Sequence, residues 1–238
     1  MITLHTVELA ISVITFFVAY LVVITCSNVF RAWVAHKMGD DTGILLGYAT
    51  WNPFFHIDPI GVVCLFIFYF GWGRIAPINP LNIWPPYREL KLAIAYLSDT
   101  VIRFIMSVIG IIALLGIFDI NILTVMRYMV LTYHVSHLPI ANMYPDVSNF
   151  AVSVGFIIFS FVYLNVVLGV LNFIMNFSNY MLFVCSDRYE SVARYADALS
   201  FGIPIFLILF FSPLLRLIAV NVIGYIGFGI AYMCGIAQ

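Results

Sequence analysis

Residues 51–61 read WNPFFHIDPIG and residues 70–80 read FGWGRIAPINP, with VVCLFIFY between them. Two polar, proline-bearing strings thus enclose an apolar run, Ile60–Phe70, of only about 11 residues, where a helix needs about 20 to cross hydrocarbon. Such a run predicts a re-entrant or hairpin segment near 60–70, because irregular backbone at membrane depth is tolerated only when packed within protein. The flanks concentrate His56, Asp58, Trp72 and Arg74 with Pro53, Pro59, Pro77, Pro80 and Pro85, a composition that cannot stay helical for long.

The rest of the chain explains why membrane depth is the relevant setting. Of 238 residues, 64% are hydrophobic and 9% charged, and mean hydropathy is +1.09. Soluble domains carry about a quarter charged residues, so the bilayer must solvate most of this surface. Ten Lys and Arg against eleven Asp and Glu leave a net charge of −1, which provides no basic field for nucleic acid. Cys26, Cys64, Cys185 and Cys234 are dispersed in apolar runs and read as buried thiols. The apolar run Val7–Cys26 has spanning length and no basic leader before it, so it reads as a retained first helix.

The pattern predicts an all-α polytopic integral membrane protein, a bundle of about five transmembrane helices forming one domain over 1–238. The spans fall at Thr6–Val34, Leu90–Phe118, Asn149–Asn176, Phe201–Leu217 and a glycine-rich Val220–Ile236. Residues 119–148 form a connector with a short interfacial helix. Residues 186–199, SDRYESVARYADAL, are amphipathic and suit a membrane surface. If Ile60–Phe70 re-enters, Arg31, Lys37, Arg74, Arg88, Lys91, Arg188 and Arg194 share one side, which the positive-inside rule makes cytoplasmic. Trp33, Trp51, Trp72 and Trp84 flank membrane entries as an interfacial belt.

The strings KMGDDT (37–42), ATWNP (49–53), HIDPIG (56–61) and FGWGRIAPINP (70–80) resemble, in order and spacing, the hinge of the site-2 protease family in its compact bacterial branch. That resemblance implies an intramembrane zinc metalloprotease fold in a bacterial cytoplasmic membrane. It also implies an HExxH motif before the hinge, two zinc-binding histidines and a glutamate general base. Aligned on KMGDDT, those three roles fall on Ser27, Asn28 and Arg31. Arginine stays protonated and cannot ligate a metal, and asparagine cannot act as a base. The family's third ligand belongs to a Pro-rich Asp-Gly motif; here NVVLGVLNF (165–173), with Asn165 and Asn172, continues as IMNFSNYM without an Asp-Gly pair.

The expectation is a degenerate member: a pseudoprotease without zinc or other cofactor, which binds a transmembrane helix or partner protein. Its hinge comprises Asn52, Pro53, His56, Asp58, Pro59, Gly61, Gly71, Trp72, Pro77, Asn79 and Pro80. His56 and Asp58 are the candidate metal pair, although structural roles suit them better: a bond from His56 to a connector carbonyl, and backbone N–H groups on Asp58. Two ligands are fewer than the three of a catalytic zinc. A polar site within the membrane comprises Arg31, Asp58, Asp99 and Arg103, with Arg31 pairing to Asp58 or Asp99, or Asp99 to Arg103 one turn on. Two alternatives remain: an active metalloendopeptidase with ligands rearranged onto His56, Asp58 and His36, and a small transporter using Asp99 and Arg103. His134 and His137, three residues apart, suit the interface better than a metal.

Overall fold

The computed structural model describes residues 4–68, 71–132, 136–186 and 196–236, with side chains over 10–67, 71–132, 136–185 and 213–236. His134 and residues 187–195, the centre of the amphipathic stretch, lie outside the described residues. The described chain is helical, and its one β feature is an isolated antiparallel bridge, Ile57 to Gly73.

Four long helices dominate: α1, Leu4–Met38; α4, Arg88–Ile117; α7, Asn149–Ser186; and α8, Ala196–Met233. Each contains a stretch long and apolar enough to cross a bilayer, as a polytopic membrane protein requires. Shorter helices lie between them: α2, Thr42–Leu45; α3, Pro59–Phe68; α5, Ile122–Thr132; and α6, Leu138–Met143. The separate spans expected at 201–217 and 220–236 form the single helix α8. The junction Leu217–Val220 has neither glycine nor proline to stop it, so propagation continues. Likewise α7 runs past Asn176, because the polar residues there find partners and do not break the helix.

Local chemistry sets the hinge. Helix α1 ends where Gly39 adopts φ +109°. Its N–H bonds the His36 carbonyl at 3.0 Å and the Asp40 N–H bonds the Ala35 carbonyl at 2.9 Å, a Schellman closure. Asn52 and Asn79 each precede a proline and accept the N–H two residues on, both at 3.1 Å, starting 3₁₀ turns at Pro53 and Pro80. Asp58 caps α3, accepting the N–H three residues on, that of Gly61, at 2.9 Å with Pro59 next to it.

Helix α3 has 10 residues, about 15 Å of rise, half of what a bilayer core needs. The chain returns to its point of entry: Ile57 bridges Gly73 and the Arg74 N–H bonds the His56 carbonyl at 2.8 Å. The segment is therefore a hairpin, closed at its base. Gly61 and Gly71 permit the closure, since a Cβ on Gly61 would lie 1.8 Å from the Trp72 carbonyl oxygen, and one on Gly71 1.9 Å from that of Gly61.

The fold comprises two compact units, each assembled from separated chain segments. The first contains 1–23, 104–167 and 214–238. In it Phe156, Phe159 and Tyr163 stack along α7, and Phe16 packs on Tyr163 with centroids 6.0 Å apart. The second contains 24–103 and 168–213, hence the whole hinge. Its apolar core is Ala35, Ile83, Leu92, Ala95 and Tyr96, with Met38, Ile78, Tyr180 and Phe183 against them. Trp33, Trp51 and Trp84 are exposed and Trp72 is half-buried. The cysteines are free; Cys26, Cys64 and Cys185 are half-buried and Cys234 is exposed, so none is the fully buried thiol expected.

Gly61→Ala should open the hairpin base and lower the unfolding midpoint in detergent strongly. Gly229→Ala, where a Cβ meets nothing within 4 Å, should be neutral or stabilise by up to about 1 kcal/mol. Thermal circular dichroism on both variants checks this.

Candidate functional site

Ser27, Asn28 and Arg31 all lie on α1 in the second unit, each at most 4% exposed. Ser27 Oγ donates to the Ile24 carbonyl of its own helix at 3.3 Å. Asn28 faces the extended segment that leaves the hairpin. Its Nδ2 donates to the Arg74 carbonyl at 2.7 Å, and its Oδ1 accepts the Ala76 N–H at 3.1 Å. The side-chain amide thereby pairs with that backbone as a neighbouring strand would. Arg31 extends the clamp, with Nε donating to the Ala76 carbonyl at 2.9 Å.

The other end of Arg31 meets a carboxylate. Its NH1 contacts Asp99 Oδ1 at 3.3 Å, the Tyr96 carbonyl at 3.3 Å and Asn176 Oδ1 at 2.9 Å. Asn176 Nδ2 returns to Asp99 Oδ1 at 2.7 Å, closing a three-membered ring, and Asn172 Nδ2 donates to Asp99 Oδ2 at 2.6 Å. Asp99 is 2% exposed. One positive and one negative group are thus buried together with both carboxylate oxygens accepting hydrogen bonds, the condition under which a buried pair is tolerated.

Of the residues expected to form a polar site, Arg31 and Asp99 are brought together. Arg103 is buried one turn further along α4. Asp58 serves α3 as its cap. His56 is fully buried and donates from Nε2 to the Thr50 carbonyl at 2.9 Å, which leaves Nδ1 as the bare nitrogen of the neutral ring. Burial pushes its pKa below the ordinary value, with the Thr50 carbonyl acting the other way. His36 is bonded to Asp41 at the surface and His137 stands edge-on to Phe156. Asn165 belongs to the first unit, where it donates to the Phe161 carbonyl.

Two contributors escaped the sequence reading. Asn176 is in the string IMNFSNYM, and its spacing of four from Asn172 on an apolar helix was the available signal for a shared polar face. Asp40, fully buried, accepts from the Asn79 N–H at 2.7 Å and from Asn82 Nδ2 at 2.8 Å, tying KMGDDT to the proline-rich segment.

The donors at Ser27, Asn28 and Arg31 do not fit zinc. A hydroxyl bonded to its own helix, an amide with both ends occupied and a guanidinium provide no deprotonated ligand. Among the described residues no three His, Cys, Asp or Glu side chains converge on a point.

Fold and site together define a multi-pass, all-α membrane protein with a short hairpin closed at its base. The chain is 34% identical over 98 residues to the protein named "Putative zinc metalloprotease YwhC" of Bacillus subtilis (strain 168). The match covers 41% of this chain and 42% of that protein, so the chain spans less than half the length of the curated relative it matches. No family model matches the chain, and no solved structure matches it. The similarity supports a site-2-protease-like relationship.

Asp99→Leu should strand Arg31 and cost about 3–5 kcal/mol, Arg31→Met should cost a similar amount, and the double variant should cost far less than the sum. Unfolding titrations of the three variants in detergent measure the coupling. For His56, whose folded pKa is depressed, the stabilisation is present above the unfolded value of about 6.5 and is lost as pH falls below it. The unfolding midpoint should therefore drop towards about pH 5, and less so in His56→Gln.

Proposed function

We propose that this chain is a catalytically silent, site-2-protease-like protein of the bacterial cytoplasmic membrane, which binds a transmembrane helix or partner protein instead of cleaving it. The observation that carries the reading is the state of Asn28 and Arg31. Where a general base and a metal ligand would stand, both side chains are committed to the chain's own backbone at Arg74 and Ala76. A water-activating centre needs groups that can take up a proton or donate a lone pair, and these two can do neither. The retained hinge keeps the scaffold, and hence a surface on which an apolar helix can lie.

Elemental analysis of the detergent-purified protein tests this first. Zinc well below one per chain is expected, and the variant Ser27→His/Asn28→Glu/Arg31→His should remain zinc-poor, because no third ligand stands by and Asp99 loses its cation. One tightly held, chelator-removable zinc in the wild type would favour the rearranged-ligand enzyme and make His56 and Asp58 the residues to mutate.

A further inference from the structure

The first unit has a cavity of its own, remote in role from the silent site and independent of how that site is read. It opens between α5 and the later turns of α8 and encloses about 480 Å³, a volume typical of ligand pockets. Leu123, Met126, Val130, Ile223 and Phe228 make its apolar walls, while Arg127, Thr124, Asn221 and Tyr225 supply polar atoms. No Asp or Glu lines it. Arg127 is exposed, and among the described residues no hydrogen bond or ion pair engages its guanidinium.

Position narrows the ligand. Helix α5 begins at Ile122, directly after α4 ends at Ile117, so it lies at the boundary where a span leaves hydrocarbon. Its 11 residues are too few to cross. It buries Leu123, Met126 and Val130 while Arg127 stays outside, the pattern of a helix lying in the interface. Beside the cavity, Tyr225, Phe228, Tyr232 and Met233 are 81%, 55%, 77% and 79% exposed, an apolar face that continues its walls towards lipid.

A cation at the rim of an apolar chamber selects a molecule with an anionic head and an apolar tail. We infer that this cavity binds one anionic phospholipid of the phosphatidylglycerol class, with its phosphate on Arg127 and an acyl chain along Phe228 and the exposed face of α8 beside it. The Thr124 and Tyr225 hydroxyls can donate to phosphate oxygens. A zwitterionic lipid would bring an ammonium beside Arg127, with no carboxylate in the cavity to receive it.

The test is competitive lipid retention by the full chain. The protein is equilibrated in mixed micelles with equal phosphatidylglycerol and phosphatidylethanolamine, and bound lipids are counted by native mass spectrometry. One phosphatidylglycerol per chain should be enriched. Arg127→Gln should reduce the enrichment about five- to tenfold, the scale of one interfacial charge contact, and Arg127→Lys should retain most of it. Gly224 lines the cavity and a Cβ there meets nothing within 4 Å. Gly224→Phe should therefore fill the chamber and abolish retention with Arg127 intact, while its unfolding midpoint reports that the fold survives. Equal retention of both lipids, or enrichment that survives Arg127→Gln, would overturn the proposal. Displacement by glycerol phosphate alone would also overturn it, making this a site for a soluble anion.

Discussion

Arg31 is the residue on which the second unit turns. A guanidinium has five donors in a fixed plane and no means of losing its charge. Buried at 3% exposure, it must be met on every side. It binds backbone of the extended hinge segment through Ala76, backbone of α4 through Tyr96, and the carboxylate of Asp99, while Asn176 joins from α7. One side chain on α1 thereby ties three other parts of the chain at fixed distances. A metal held by two helices would impose a similar constraint, and here hydrogen bonds do it without one.

The hinge follows from the same requirement. Extended backbone within a membrane protein exposes carbonyl and N–H groups that lipid cannot satisfy. Residues 74–76 meet that demand through Asn28 and Arg31 on one side, and the base of the hairpin meets it through the Ile57–Gly73 bridge. Asp40 secures the following turn from the end of α1. The Asn-Pro and Asp-Pro pairs start the two 3₁₀ turns and α3 with a side-chain acceptor and a residue that has no N–H to place. Polar residues that look anomalous in so apolar a chain thus complete the backbone's hydrogen bonding.

The first unit is built differently. Its interior is mainly aromatic and aliphatic, with Ser107, Ser160, Asn165 and Arg216 buried in it and glycines where elements come close: a Cβ on Gly155 would meet Phe118 at 2.6 Å and one on Gly227 would meet Leu123 at 2.6 Å. Between the connector and α8 this close packing gives way to the cavity beside Arg127. Among the described residues of this unit Arg127 is exposed and Arg216 is buried. Asp119 is held by Tyr144 and Asn121, and the hydrogen bond from Tyr144, the largest influence, keeps its carboxyl below the ordinary range.

Composition and run length by themselves determined a multi-pass helical membrane protein with a short hairpin at 60–70, because hydrocarbon thickness converts directly into residue count. The Asn-Pro, Asp-Pro and Gly punctuation was legible for a similar reason: caps and tight approaches are local events. Sequence did not show that 201–233 is one helix, since two adjacent apolar runs look the same whether or not they are joined. It also left open which acid Arg31 meets. Asp58, 27 residues on, and Asp99, 68 residues on, are equally plausible along a line, and only the packing of α1, α4 and α7 selects Asp99 and recruits Asn172 and Asn176. Long-range pairing of buried polar groups depends on which helix faces meet. Tertiary structure decides that, because no local propensity encodes the partner.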